Sequence, residues 1–180
     1  LEKIKSLKRI SYTTSHPRDM NDELIELHAS SKKLNPYLHL PVQSGSDQVL
    51  KNMNRKYTSK EYLDIIDSIR VKVPEIALSS DFIVGFPGET KNDFKATLNL
   101  VKEVEFAHAY SFKYSRRIGT KANRIICDIS DEEKDDRLQE LQALLRSQQR
   151  SYNSKFLNRV VEVFLKGKAK KSDQMRGTTK

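Results

Sequence analysis

The sequence has one cysteine, Cys127, in 180 residues. A single thiol cannot build an internal disulfide framework, nor supply the thiolates of a cysteine-only metal or iron–sulfur site. It fits a reducing cytoplasm, and a cytoplasmic location is expected. Long apolar runs are missing too. No stretch approaches the ~20 apolar residues that a membrane-spanning helix needs, and no cationic start with an apolar middle marks a signal peptide. There is no low-complexity tract and no internal repeat beyond a β–α rhythm. No Gly-x-Ser-x-Gly elbow supports reading Ser15-His16, near Asp19, as a hydrolase pair. The first residue is Leu1 rather than methionine, as expected of a fragment, a trimmed chain or an unusual start.

Charge is plentiful. Charged residues make up 32% of the chain, and 33 Lys+Arg against 24 Asp+Glu give a net +9. A basic balance suits contact with nucleic acid, but it equally serves solubility. At 180 residues the chain is one domain, or one domain and part of another.

The chain is organised around Ala77 to Asn92, ALSSDFIVGFPGETKN. Its nearly continuous apolar run reads as a strand covered on both faces in a parallel sheet. Gly85-Phe86-Pro87-Gly88 breaks the strand, and Thr90-x-x-Asp93 caps a following helix. Leu38 to Gln43 reads as a second strand, ended by Ser44-Gly45-Ser46-Asp47. Ligands of α/β folds bind at the carboxyl ends of strands, so Gln43, Ser44, Ser80 and Asp81 are expected near one rim. Asp81 and Gln43 can also be read as residues that only satisfy loop backbone groups.

In chain order, Ile10 to Thr14 is expected to be a strand and Asn21 to Ser30 a short helix. Thr58-x-x-Glu61 is a capping box, with Tyr62, Ile65, Ile66 and Ile69 on one helical face until Pro74. A helix near Asn92 to Val104 follows, then a strand from Ala107 to Ser115 whose Tyr110, Phe112 and Tyr114 read as core. The order β-α-β-α-β-α-β implies a partial (β/α) barrel or an open parallel sheet. Ser130-x-x-Glu133 caps a long helix to about Asn158. Leu138, Leu141, Leu145, Tyr152 and Phe156 form its inner stripe, and Arg137, Arg146, Arg150 and Lys155 its polar face. Val160 to Leu165 is a new strand. From Arg159 to Lys180 seven cations face two carboxylates, a surplus of five in 22 residues. One strand and a basic tail cannot bury a core alone. The tail reads either as a solvated charge run or as an RNA grip.

Three long motifs in this order resemble the radical S-adenosylmethionine (radical SAM) methylthiotransferases, the bacterial branch that acts on N6-isopentenyladenosine in tRNA. They are Thr13-Thr14-Ser15-His16-Pro17, His39-Leu40-Pro41-Val42-Gln43-Ser44-Gly45-Ser46-Asp47, and Ser79 through Thr90. Tyr110-Ser111-Phe112 and Tyr114-Ser115 add to the likeness, which covers essentially the whole chain. The resemblance implies an α/β fold: an incomplete radical SAM (β/α) barrel over 1–129, a connecting helix over 130–158, and the truncated start of a tRNA-binding β module over 159–180. It implies SAM on the side of Gln43, Ser44, Ser80, Asp81 and Gly85. It places RNA contacts at Arg159, Lys166, Lys168, Lys170 and Lys171. The family uses two 4Fe-4S clusters, but its Cys-x-x-x-Cys-x-x-Cys and three earlier cysteines have no counterpart here, and Cys127 matches none of them. Around Ile118-Gly119-Thr120 the family's usual prolines are absent, and Gln174 to Lys180 only loosely resembles the module's motif. The implied function is a truncated or split tRNA methylthiotransferase, inactive alone, with tRNA and a separate chain carrying the cluster domains as partners. The alternative is a non-catalytic remnant that binds RNA weakly.

One cysteine sets the first prediction. Anaerobic reconstitution with iron and sulfide is expected to leave the purified chain without a stoichiometric 4Fe-4S cluster, measured by iron and sulfide assay and visible absorption.

Overall fold

The computed structural model describes residues 1–14, 16–125, 129–171 and 173–179. Cys127, Ser15 and Lys180 lie outside them. Five helices and five strands follow one another: α1 Asp22–Ser30, β1 Tyr37–His39, α2 Asp47–Asn52, α3 Ser59–Lys72, β2 Ala77–Val84, α4 Lys91–Val104, β3 His108–Lys113, α5 Asp131–Ser154, β4 Val163–Lys168 and β5 Met175–Thr179. Local chemistry sets the helix starts. Asn21, Ser46, Thr58, Thr90 and Ser130 each accept a backbone N–H at an N-cap, and Thr58 and Thr90 form full capping boxes with Glu61 and Asp93.

β1, β2 and β3 form a parallel sheet in that spatial order, with β2 central. Each crossover therefore moves to the next position in the same direction, and right-handed connections place the crossover helices on one face. That is one wall of a (β/α) barrel, without closure. Leu78, Phe82 and Val84 of β2 pack with Tyr62, Ile66 and Ile69 of α3 and Phe94, Leu98 and Val101 of α4 in one core. α5 lies against β3 and β2 and adds Leu141 and Leu145 to that core. Among the described residues, no helix is long and apolar enough to cross a membrane.

Five expectations need correction. The strand at Ile10 to Thr14 is reduced to a single bridge, Ile10 to Leu34. Residues further on are held through side chains instead: Asn35 donates to Ser11 Oγ at 2.9 Å, and the Thr14 hydroxyl donates to the His39 carbonyl. The Tyr110 and Phe112 stripe is not core, because these side chains are 52% and 53% exposed on the sheet face that no helix covers. Arg137 is not on a polar face but buried. The long helix ends at Ser154, because its last bonds tighten to i−3, from Lys155 to Tyr152 and from Phe156 to Asn153. The expected strand at Val160 begins later, at Val163, and pairs antiparallel with β5 as a hairpin.

Arg137 binds α5 to the loop after β2. Its guanidinium donates to Glu89 Oε1 at 2.6 Å, to the Glu89 carbonyl at 3.0 Å and to Glu133 Oε1 at 2.7 Å. The Arg137 and Glu89 side chains are 7% and 1% exposed. Glu89 also accepts from the Gly85 N–H at 3.1 Å. Burial pushes the Glu89 carboxyl above its usual range, and the Gly85 and Arg137 bonds offset this only in part. Burial also works against the Arg137 charge, but its bonds to Glu89 and Glu133 outweigh that and hold its pKa above the usual value. Arg137→Leu strands a buried carboxylate and is expected to lower unfolding free energy by about 3–5 kcal/mol, read from urea titration. The double variant R137L/E89L is expected to recover part of that loss.

Asp93 sets an acid limit. Burial opposes its charge, but the hydroxyls of Ser46, at 2.5 Å, and Thr90, at 2.6 Å, outweigh that and hold its carboxyl below the ordinary 3.8. A depressed carboxyl contributes stability above its unfolded value, and the contribution is lost as pH falls through the lower folded value. Asp93→Asn is therefore expected to flatten the acid limb of a stability–pH curve below about pH 4 and leave its slope near neutrality unchanged.

Candidate cofactor cleft and basic hairpin

The chain beyond β1 carries one extra residue against β2. After Leu40 donates to the Ser79 carbonyl, the next bridge joins Gln43, not Val42, to Phe82, and regular pairing is interrupted. The Ser80 hydroxyl fills the break, donating to the Leu40 carbonyl at 2.9 Å and accepting the Val42 N–H at 3.0 Å. Pairing resumes at Gln43, which donates to the Asp81 carbonyl and accepts the Ile83 N–H, both at 2.9 Å. Gln43 has φ +73°, a left-handed conformation unusual for a residue with a side chain. That kink sets Gln43 beside Asp81 at the carboxyl rim, as the motif order implies.

The loop that follows is pinned to α4. A Cβ on Gly45 would stand 2.6 Å from the Ala96 carbonyl oxygen, so only glycine lets the backbone approach so closely. Its N–H donates to Thr97 Oγ1 at 3.0 Å, and Ser44 Oγ shares that hydroxyl at 3.2 Å. Gly85 has φ +69°, and the Lys134 side chain occupies the space where a Cβ would be. The Gly85–Glu89 loop is thus shaped from behind by α5.

In front of these elements lies a cleft of about 920 Å³. Gln43, Asp81 and Ile83 line one side, Phe86, Phe112 and Tyr114 another, and Arg55 and Arg117 stand at its edges. Of the residues expected on the SAM side, Gln43 and Asp81 face this cleft. Ser44 and Ser80 are fully buried behind it with their hydroxyls bonded within the protein. Gly85 turns toward α5.

Two features of the cleft were not legible in sequence. The Tyr114 hydroxyl is buried and finds no hydrogen-bond partner among the described residues, although its ring meets Phe86 edge-on at 5.0 Å. On the open face of the sheet a chain of contacts runs toward Asp81. Tyr37 donates to Ser79 Oγ at 2.9 Å, Ser79 Oγ meets His39 Nδ1 at 2.6 Å, and His39 Nε2 stands 3.5 Å from Asp81 Oδ2. His39 is thus a packed, hydrogen-bonded residue of the sheet. The alternation of β1 and β2 could have predicted that chain, since positions two apart share a face.

The cleft suits an amphipathic ligand that carries both signs of charge, since Arg55, Lys113 and Arg117 line it together with Asp81. Asp81 offers a carboxylate, Gln43 an amide, Tyr114 an unused hydroxyl and Phe86 an apolar ring. SAM fits this donor set. An iron–sulfur cluster does not, because the chain's one thiol cannot supply the ligands.

The five expected RNA-contact residues are all solvent-exposed. Lys166 and Lys168 lie on β4, Lys170 and Lys171 in the turn before β5, and Arg159 precedes the hairpin. Arg9 holds the hairpin to the start of the chain. It donates to the Thr179 carbonyl at 2.9 Å and to Thr178 Oγ1 at 3.2 Å, and its guanidinium lies over the Phe164 ring at 5.4 Å. Nothing in the sequence singled out Arg9 from its basic neighbours.

Comparison with known proteins agrees with this architecture. The model of the radical SAM superfamily matches residues 1–101. The tRNA-2-methylthio-N(6)-dimethylallyladenosine synthase of Ehrlichia chaffeensis is 52% identical over 180 residues, covering 99% of this chain and 41% of its own length. The enzyme of the same name from Ruegeria sp. is 52% identical over 177 residues, covering 98% of this chain and 40% of its own. Among solved structures, coproporphyrinogen III oxidase from Escherichia coli, a radical SAM enzyme, superposes with a TM-score of 0.62 at 25% identity. It covers 78% of this chain and 32% of its own. The chain belongs to the radical SAM superfamily, and its sequence follows the tRNA-2-methylthio-N(6)-dimethylallyladenosine synthases across the 41% of their length that it spans.

Proposed function

We propose that this chain is the part of a tRNA methylthiotransferase that forms one wall of the SAM cleft and carries the first RNA contacts, for 2-methylthiolation of N6-isopentenyladenosine. In this reading residues 1–129 are the barrel wall, 130–158 the strut and 159–180 the start of the RNA module. The observation that carries it is the cleft at the carboxyl rim, where Gln43, Asp81 and the unpartnered Tyr114 hydroxyl converge. SAM, when bound, supplies the adenosyl and methyl groups of the chemistry.

The roles of the chain's own residues follow from their surroundings. Asp81 sets a carboxylate against a cationic ligand, and Gln43 and Tyr114 orient it with one amide and one hydroxyl. Ser44, Ser80 and Gly85 act from behind, fixing the loop that presents Gln43 and the loop that presents Phe86. Cluster thiolates have to come from outside these 180 residues, which hold only Cys127. Arg159, Lys166, Lys168, Lys170 and Lys171 meet RNA phosphates, which position a strand without reading its bases.

The purified chain is expected to form no methylthio product on tRNA. Product is expected when a separate chain carrying the family's cluster cysteines is added, read by mass spectrometry of digested tRNA. Filter binding of tRNA should give a Kd of roughly 10⁻⁴–10⁻⁶ M at physiological salt, weakening steeply as salt rises. Product from the chain alone, or tight salt-insensitive binding selective for one tRNA, would overturn this reading.

A further inference from the structure

A second, larger cleft lies at the opposite end of the sheet. It opens where β2 begins at Ala77 and β3 at His108, and its volume is about 1110 Å³. Its walls are residues 6–13, the last turns of α5, and the hairpin. It is larger than the roughly 300–1,000 Å³ of ordinary small-ligand sites, as a strand of more than one nucleotide requires.

The chemistry of its walls is specific. Lys8, Arg9 and Lys166 line it, and no carboxylate does among the described lining residues. Burial, helped by Glu75 outside the lining, holds the Tyr152 phenol above its usual pKa. The aromatic side chains are as concentrated as the cations. Tyr152 and Phe156 meet edge-on at 5.4 Å, and Phe164 carries the Arg9 guanidinium on one face at 5.4 Å. Phe156 and Phe164 remain 44% and 43% exposed. An apolar tail would account for the rings but not for three cations in the lining. A free phosphate or a duplex would account for the cations but not for the rings. A single strand of RNA uses both, with its backbone following the positive charge and its bases stacking on aromatic faces.

We propose that this amino-end cleft is a single-stranded RNA site, with bases against Phe156 and Phe164 and phosphates against Lys8 and Lys166. It deepens the RNA reading of the hairpin given above and rests on it. It also places the strand on the side of the sheet away from Gln43 and Asp81, so RNA and SAM can occupy the chain together.

The chain has no tryptophan, so Phe164→Trp introduces a single indole in the cleft, and Phe156→Trp provides a second reporter should the first fail to fold. Val71→Trp, on the exposed side of α3, reports general coating of the surface. Titration with octauridylate is expected to quench the cleft indole at least about twofold more than the Val71→Trp indole. A double-stranded RNA with the same number of phosphates is expected to quench it less. Lys8→Glu should weaken octauridylate binding about tenfold. Fluorescence anisotropy of labelled octauridylate measures binding independently. Binding by anisotropy without quenching in the cleft would overturn this site and leave the hairpin reading standing. Equal quenching by duplex, or equal quenching of the Val71→Trp indole, would overturn the stacking site. No binding by either probe would overturn both readings.

Discussion

A buried ion pair joins the two halves of this molecule. Arg137 reaches from the second turn of α5 into the loop between β2 and α4, and Glu89 receives it while holding the Gly85 N–H. Two charges removed from water gain little net stability when paired, yet removing one partner leaves the other without compensation. The pair therefore acts less as adhesive than as a register pin. It fixes which turn of α5 faces the loop, and Lys134 of that turn fills the space beside Gly85. Further along α5, Gln148 donates to the Val101 carbonyl and accepts the Phe106 N–H, and Gln149 meets His108. One helix thus sets both the rim loop behind the carboxyl-end cleft and the amino end of β3.

Much of this was legible in the sequence because it is local. The capping boxes at Thr58 and Thr90, the apolar run of β2 and the polar breaks after Gln43 and Val84 each follow from a few adjacent residues. What failed was decided by partners distant in sequence. Arg137 looked like one of four cations on a solvated helix face, and only Glu89, 48 residues away, makes it a core residue. Ile10 to Thr14 has strand-forming residues, but its backbone makes a single bridge, to Leu34, and beyond it side chains of Asn35 and Thr14 make the contacts. Tyr110 and Phe112 alternate as a core stripe should. Their face of the sheet is the inside of a barrel wall, and no helix of the described residues covers it.

At the rim, residue type was easier to read than residue role. Gln43, Ser44, Ser80 and Asp81 do gather at one end of one sheet. Their division into two that face the cleft and two that brace it depends on the extra residue between Leu40 and Gln43 and on the φ of +73° at Gln43. Neither appears in a linear motif. Tyr114 stands out only because its hydroxyl is enclosed without a partner, a property of the folded surroundings and not of the residue.

β3 pairs with β2 on one side only, and among the described residues no strand lies on the other. Its free row of backbone donors and acceptors runs beside the exposed rings of Tyr110 and Phe112. An uncovered edge with apolar side chains is a template for adding a strand from another molecule. Lys113 at the end of that edge is paired with Asp135, and the repulsion of a second copy carrying the same charges falls to Arg116 and Arg117 just beyond it. The same cations that keep this edge from seeding aggregates become less effective as salt screens them, so the chain's colloidal behaviour is tied to ionic strength through its sheet as well as through its hairpin.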